Sequence, residues 1–309
     1  MPSPGRETVR AAPALLLSVC LVLHSVAAAE TPAPAESPFY YESTRSRGMG
    51  GAFTPIGDDA TALLLNPAGL VTGGGIRAVV DYHLFEGGGK PEGWGMAAAV
   101  DALGMVFSAG AAGVSSESSI ETTRFSAGAA RNIITGSAGS FLSVGAAATA
   151  GRLSRPLEGQ EGCTACRGDR TATASAALDA GVMLRPLPFI SLSASVTNMT
   201  DENLGEDPPA VWARQIRYGA AWLHEDRIAV AWESRRRSGD DVAHLGVSFR
   251  TAVPLEIMAG ITRERISGGL RWDGGSWRAS ASFSQEEGGR VFTSVSVEVL
   301  ALRPERIYQ

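Results

Sequence analysis

From Gly75 onward the chain alternates apolar and polar residues with a period of two, in segments of about ten residues. In Arg265 to Asp273, Ile266, Gly268, Leu270 and Trp272 share one face, while Arg265, Ser267, Gly269, Arg271 and Asp273 share the other. The next segment sets Trp277, Ala279, Ala281 and Phe283 against Ser276, Arg278, Ser280, Ser282 and Ser284. The last one sets Val291, Val295, Val297 and Val299 against Ser294, Ser296 and Glu298. Earlier segments place Ile76, Ala78, Val80, Tyr82 and Leu84 opposite Arg77, Asp81 and His83, and Ile190, Leu192, Ala194 and Val196 opposite Ser191, Ser193, Ser195 and Thr197. Each is a strand with one apolar and one polar face.

A soluble sandwich shares this period, so length, number and spacing must separate it from a barrel. Segments of about ten residues suit a tilted membrane span, whereas sandwich strands average nearer five or six. About fourteen such segments follow one another, an even number, as bacterial barrels require. With the first strand running outward, connections on the inner side are short: Asp101 to Leu103, Arg185 to Pro188, His224-Glu225, Thr251 to Val253 and Asp273 to Gly275. Those on the outer side are often longer: Glu86 to Glu92, Gly113 to Ile120, Arg152 to Thr173 and Thr200 to Ala213. Short periplasmic turns with longer outer loops are the barrel pattern. A long inner connection from Asn132 to Ser140 and a tight turn at Arg263-Glu264 depart from it. Trp222, Trp272, Trp277 and Phe189 fall near inner strand ends, and Trp94 and Trp212 near outer ends, where interfacial girdles lie. For Trp232, in mid-strand, core packing is the alternative. The fold expected is all-β, a transmembrane antiparallel barrel.

Composition agrees. The 309 residues include 37 Gly and only 19% charged residues, with mean hydropathy +0.04. A soluble domain carries about a quarter charged residues, and helical spans need about twenty consecutive apolar ones. The formal net charge of -5 implies no nucleic-acid partner.

The N-terminus reads as a secretory signal: Arg6 and Arg10, an apolar core from Ala14 to Val26, then Ala27-Ala28-Ala29 before a cleavage site at Glu30. Val19 is too bulky for a lipobox ahead of Cys20. The expected organisation is 1–29 signal peptide, 30–74 lead and hatch, and 75–309 outer-membrane barrel.

Between lead and barrel lies a glycine-laced knot. It runs Arg45-Ser46-Arg47-Gly48-Met49-Gly50-Gly51-Ala52-Phe53, then Asp58-Asp59-Ala60-Thr61-Ala62-Leu63-Leu64-Leu65-Asn66-Pro67-Ala68-Gly69-Leu70. Asp58 or Asp59 is a suitable N-cap for one or two helical turns through Leu65, and Pro67 excludes the α region at Asn66. So small a segment buries too little apolar surface to offset its ordering entropy alone. It is expected to fold inside the barrel, with Phe53, Leu63, Leu64 and Leu65 packed there and Arg45 and Arg47 facing carboxylates such as Asp81 or Asp179. The other charges expected to face the lumen are Arg77, Arg124, Arg217, Glu233, Arg265, Arg271 and Arg278.

These blocks resemble the FadL-type outer-membrane barrels, and within them the PorV/PorQ branch. The resemblance is carried by Arg47, Gly48, Met49, Gly50, Gly51, Ala52 and Phe53, by Asp58, Asp59 and Ala60, and by Asn66, Pro67, Ala68, Gly69 and Leu70. Leu178 to Pro188 running into Ser191 to Asn198, Ile216 to Trp222, and His244-Leu245-Gly246 are similar but less specific. The resemblance implies a fourteen-strand barrel with a lumenal hatch. On the PorV/PorQ side it implies a secretion accessory that engages secreted proteins or their translocon. On the wider FadL side it implies a passive transporter of small hydrophobic solutes. Short polar outer loops such as Ser115 to Ser119 favour the first, and the tail Arg303 to Gln309 lacks a terminal aromatic.

No catalytic motif carries the right context. His83, His224 and His244 read as lumenal or interfacial residues, so no enzyme, cofactor or metal is expected. Cys163 and Cys166 form a CxxC in the longest outer loop, a pattern open to a zinc half-site, a redox motif or a disulfide. The disulfide is favoured, because zinc needs two more ligands and exported thiols meet an oxidising compartment.

Overall fold

The computed structural model describes residues 41–86, 93–115, 121–156, 170–202, 212–225, 227–237, 240–286 and 291–302. The signal segment, Cys163 and Cys166, most of the longer outer loops and the tail 303–309 lie outside these residues.

Among the described residues fourteen antiparallel strands close into one barrel. In chain order they are β1 (Ile76–Glu86), β2 (Gly93–Ala102), β3 (Met105–Ser115), β4 (Glu121–Thr135), β5 (Phe141–Pro156), β6 (Arg170–Leu187) and β7 (Ile190–Thr197). The circuit continues through β8 (Gln215–His224), β9 (Ile228–Arg237), β10 (Asp240–Arg250), β11 (Leu255–Thr262), β12 (Arg265–Asp273), β13 (Trp277–Glu286) and β14 (Val291–Leu302). Each strand pairs with its neighbours in sequence, and β14 returns to β1 with Tyr82 opposite Val295, so the sheet closes on itself.

The direction of the faces decides between barrel and sandwich. A sandwich would hide its apolar face, but here Val80, Phe283 and Ile266 are 58%, 57% and 65% exposed. The alternating polar residues Arg77, Glu233 and Ser294 are at most 1% exposed. An outside that is apolar and an inside that is polar suit a wall standing in lipid. Trp232 follows this rule, since it faces outward and packs edge-on against Tyr218 with ring centroids 5.7 Å apart. Trp212 does not. It is buried, and its carbonyl accepts from the Asn198 side-chain amide, so it lies off the girdle expected of it.

Inner turns are tight: Leu103 and Gly104 both have positive φ, as a two-residue primed hairpin demands. The long inner connection expected from Asn132 to Ser140 is shorter, because Asn132 to Thr135 belong to β4. β4 and β5 pair down to Thr135 opposite Phe141, with a bulge near Ile133 and a single 3-10 turn at Ser137–Gly139. The extra ladder bonds satisfy backbone groups that a loop would leave to water.

Ahead of β1, residues 41–72 are packed inside the barrel and are almost wholly buried. Helix α1 (Thr44–Gly48) starts at Ser43, whose hydroxyl accepts from the Ser46 amide at 3.2 Å. Gly50 and Gly51, at φ +65 and +92, reverse the chain where L side chains are strained. Helix α2 (Ala62–Leu65) is shorter than expected, and its N-cap Thr61 makes no side-chain cap bond. Neither Asp58 nor Asp59 caps it. Asp59 instead accepts from the Thr61 amide at 2.8 Å, a local turn that competes with the helix. Asn66 is extended, at φ -151 and ψ 97, as the following proline requires. Its carboxamide oxygen accepts from Ala68 N at 3.1 Å and starts the 3-10 turn Pro67–Thr72.

Candidate functional site

The site is the lumen with its internal segment, and glycines in the wall set how closely the two approach. A Cβ on Gly246 would overlap the Met49 carbonyl, and one on Gly260 would overlap the backbone of Met49 and Gly50. Gly145 meets Pro67 and Ala68, and Gly181 lies under the Asn66 carboxamide. Within the segment itself, Gly69 lies against Gly57, and Gly48 faces Met258 and Ser282. The blocks that carry the resemblance are therefore contact surfaces: Gly48 to Gly51 meet β10, β11 and β13, and Asn66 to Gly69 meet β4 to β6.

The charged pairs differ from those expected. Arg45 Nη2 lies 3.0 Å from Glu256 Oε1, and Arg45 also pairs with Asp58. Arg47 lies over the Phe292 ring, 5.4 Å from its centroid. Neither arginine meets Asp81 or Asp179. Asp81 does hold the segment, through the Tyr41 hydroxyl at 2.7 Å and the Thr44 amide at 2.9 Å. Asp179 is taken up by the wall, accepting from Thr149 Oγ1 and Asn198 N, each at 2.7 Å. Two unexpected acids matter more. Glu42 accepts from Arg265 at 2.6 and 2.9 Å and from Arg235 at 3.2 Å. Glu298 lies 3.1 Å from both Arg271 and Arg278. Burial pushes the Glu42 carboxyl up, but Arg265, with further help from Arg47, outweighs it and holds the group at about 2. Burial pushes Asp59 up as well, with Glu298 adding to it.

Neutral contacts complete the site. Glu233 accepts from Phe53 N at 3.1 Å, and from Thr54 N and Thr54 Oγ1 at 2.9 Å each. Arg124 donates to Leu64 O at 2.7 Å, Ser195 to Leu65 O at 2.9 Å, and Ser143 to Ala68 O at 3.0 Å. Arg77 caps Leu70 O. Phe53, Leu63, Leu64 and Leu65 share one buried apolar cluster with Ala97, Ala99, Ala112, Ala130 and Ala147 of the wall. Of the histidines, His83 is buried in the lumen, and His244 bonds through Nδ1 to Gly50 O at 2.6 Å. His224 stacks on Trp222 at the inner rim, 5.4 Å between centroids. Glu256 and Arg235 were legible in part: Glu256 is the single acid of an apolar strand, while Arg235 sits in a run of three arginines that reads as a solvated turn.

One part of the wall is incomplete among the described residues. β6 pairs with β5 up to Arg170, but its ladder with β7 ends at Ala180 opposite Val196. Asn198, at φ +54, turns the chain away there, and among the described residues above it the Met199 amide reaches back to Leu178 O at 2.7 Å and Glu202 accepts from Ser175 Oγ at 2.8 Å. Ala172, Ala174 and Ala176 are exposed along that stretch.

A closed fourteen-strand barrel that is apolar outside and polar inside, with residues 41–72 packed within it, is an outer-membrane β-barrel. Its fold is shared with solved hydrocarbon transporters. The toluene transporter TbuX of Ralstonia pickettii matches at TM-score 0.65 and 13% identity, over 84% of this chain and 98% of that one. The monoaromatic hydrocarbon channel CymD matches at 0.64 and 14%, over 84% and 98%. The toluene transporter TodX of Pseudomonas putida matches at 0.59 and 13%, over 87% and 98%. Neither a protein-family profile nor a curated protein sequence matches the chain. At these identities the likeness shows the fold, and the PorV/PorQ branch receives no support from it.

Proposed function

We propose that the protein is a passive transporter of small hydrophobic molecules across the outer membrane, with residues 41–72 acting as a hatch that stops the lumen. The observation that carries this reading is a lumen occupied by residues 41–72 beside a wall in which, among the described residues, the outer half of β6 pairs with β5 but not with β7. Residues 41–72 occupy the lumen, and a cavity between them and the wall, lined by Ser43, Arg45, Thr61, Asp81 and Arg271 among others, is about 10 Å³, about one water. An apolar solute gains free energy wherever it leaves water for an apolar surface, and the outward face of β6 beside its unpaired edge carries Ala172, Ala174, Ala176 and Leu178. The secretion reading rests on the resemblance alone, and the transport names of the structural neighbours support its alternative.

The test is uptake of radiolabelled toluene by cells that express the protein, set against cells with an empty vector. Faster uptake is expected, and Ser175→Trp, on the inner face of β6 where Ser175 meets Glu202, should lower it at least about threefold by obstruction of a packed wall. Uptake no faster than the empty vector, with folded protein present in the outer membrane, overturns the transport reading.

A further inference from the structure

Residues 41–72 pack as one body, in which Tyr41, Met49 and Phe53 share a buried apolar cluster with Leu63, Leu65 and Leu70. The cavity between this body and the wall is lined by Ser43, Asp59 and Thr61 on one side and by Asp81, Arg271 and Glu298 on the other, among others. Its volume is about 10 Å³, room for about one water.

Two carboxyls border that space with their hydrogen bonds gathered on one oxygen each. Glu298, in β14, is 5% exposed, and Arg271 and Arg278 both hold its Oε2, each at 3.1 Å. Its Oε1 is buried without a hydrogen-bond partner. Asp59, also 5% exposed, accepts from the Thr61 amide and the Thr61 hydroxyl, and both bonds end on Oδ1. Asp81, the third acid at the cavity, is satisfied, because its Oδ2 takes the Tyr41 hydroxyl and its Oδ1 the Thr44 amide. The neighbouring guanidiniums are engaged elsewhere. Arg45 is shared by Asp58 and Glu256, Arg271 by Glu256 and Glu298, and Arg278 by Asp273 and Glu298. Arg77, in β1, donates to Leu70 O. Carboxylates outnumber guanidiniums in this group, and none of these arginines forms an ion pair with Asp59 among the described residues.

We propose that Asp59 and Glu298 hold one proton between them across the cavity, and that this proton clasps the hatch to the wall, so that its loss to water at alkaline pH releases residues 41–72 and lets small ions through the lumen. This rests on the hatch reading and goes beyond hydrophobic transport. Two buried carboxylates with so little water between them cannot both be ionised cheaply, and one proton relieves the repulsion while it partners the bare Oε1. Burial pushes the Asp59 carboxyl up and Glu298 pushes it further, against the Thr61 bond and the charges of Arg45 and Arg271. A raised value in the docked state means that the clasp is complete below the ordinary 3.8 and is lost as pH rises through the raised value. Glu42, held at about 2, titrates in the opposite sense and in a separate range.

The test reconstitutes the protein in planar bilayers in potassium chloride, with heat-modifiable migration selecting folded barrels. Conductance should rise at least about threefold as pH goes from about 5 to about 9. Asp59→Asn keeps an acceptor for Thr61 and offers an amide donor in place of the proton, so its conductance should stay flat over that range. Glu298→Gln, which removes the repelling charge, should be flat as well and serves if Asp59→Asn yields no folded barrel. Infrared spectra at about pH 5 read the proton directly: the carbonyl band of a protonated carboxyl should lose intensity in Asp59→Asn relative to the parent. A flat parent, a rise in the folded variants equal to the parent's, or an infrared band that the substitution leaves unchanged overturns the proposal. A variant lacking residues 42–69 separates the readings. If it conducts well above the parent while the parent ignores pH, the hatch stands and the proton clasp falls. If it conducts no more than the parent at either pH, the hatch reading is lost and the clasp with it.

Discussion

At the scale of single residues, the wall glycines and Glu42 do most to seat the internal segment. Gly260 leaves room for the Gly50 amide where any side chain would overlap it. Gly260→Ala is therefore expected to cost about 1–3 kcal/mol of docking by overpacking, with the outward-facing wall untouched. The check is protease treatment of purified, heat-modifiable barrel, in which cleavage within residues 41–56 should appear in the variant and not in the parent. Glu42 makes a prediction in pH. Its carboxyl is held at about 2 in the folded protein against an ordinary 4.5, so its contribution is complete above about 4.5 and is lost as pH falls towards 2. Acidification through that window should loosen residues 41–56. Bilayer conductance should rise as pH is lowered from about 5 to about 2, and it should rise less in Glu42→Gln, which keeps the Arg45–Glu256 pair but has lost the carboxyl that binds Arg265 and Arg235. A pH response identical in the two proteins would place the titrating group elsewhere.

At the scale of elements, the strands were readable because each carries its own signal, whereas the hatch helices were readable only as a stop and a start. Pro67 fixes Asn66 in the extended region whatever surrounds it. The start was misplaced because a helix of four residues does not nucleate on its own. There the Asp59 turn prevails, and Asp58 is drawn to Arg45 by a contact the local sequence does not show. The outer part of β6 is a similar case. Its alternation runs through Ala172, Ala174 and Ala176, yet nothing in that alternation says that its partner stops at Thr197. The hatch as a whole makes the prediction proper to this scale. Removing residues 42–69 should leave a folded barrel, because ladder bonds close the wall independently of the hatch. Its single-channel conductance should lie well above that of the intact protein, as an emptied lumen fills with water. Equal conductances from two folded barrels would count against the hatch.

At the scale of the whole molecule, period-two alternation, the even number of strands and the unequal ends of the barrel were legible before any coordinates. These properties follow from bonds between near neighbours in sequence, and Arg265 to Asp273 or Ile76 to Leu84 display them unaided. The sequence by itself also required the knot at Arg45 to Leu70 to seek a larger partner, since its apolar surface is too small to stand alone. Alternation names two faces without saying which is hidden. Closure alone settled that Ile266 looks outward and Ser267 inward. The tertiary structure likewise decided that Arg45 meets Glu256 and that Glu42 meets Arg265, groups separated by 211 and 223 positions in the chain. Attraction between charges depends on distance in space, and several carboxylates of similar chemistry face the lumen. Only the register of the closed sheet and the glycine-governed approach of the hatch bring one of them, rather than another, within reach of each guanidinium.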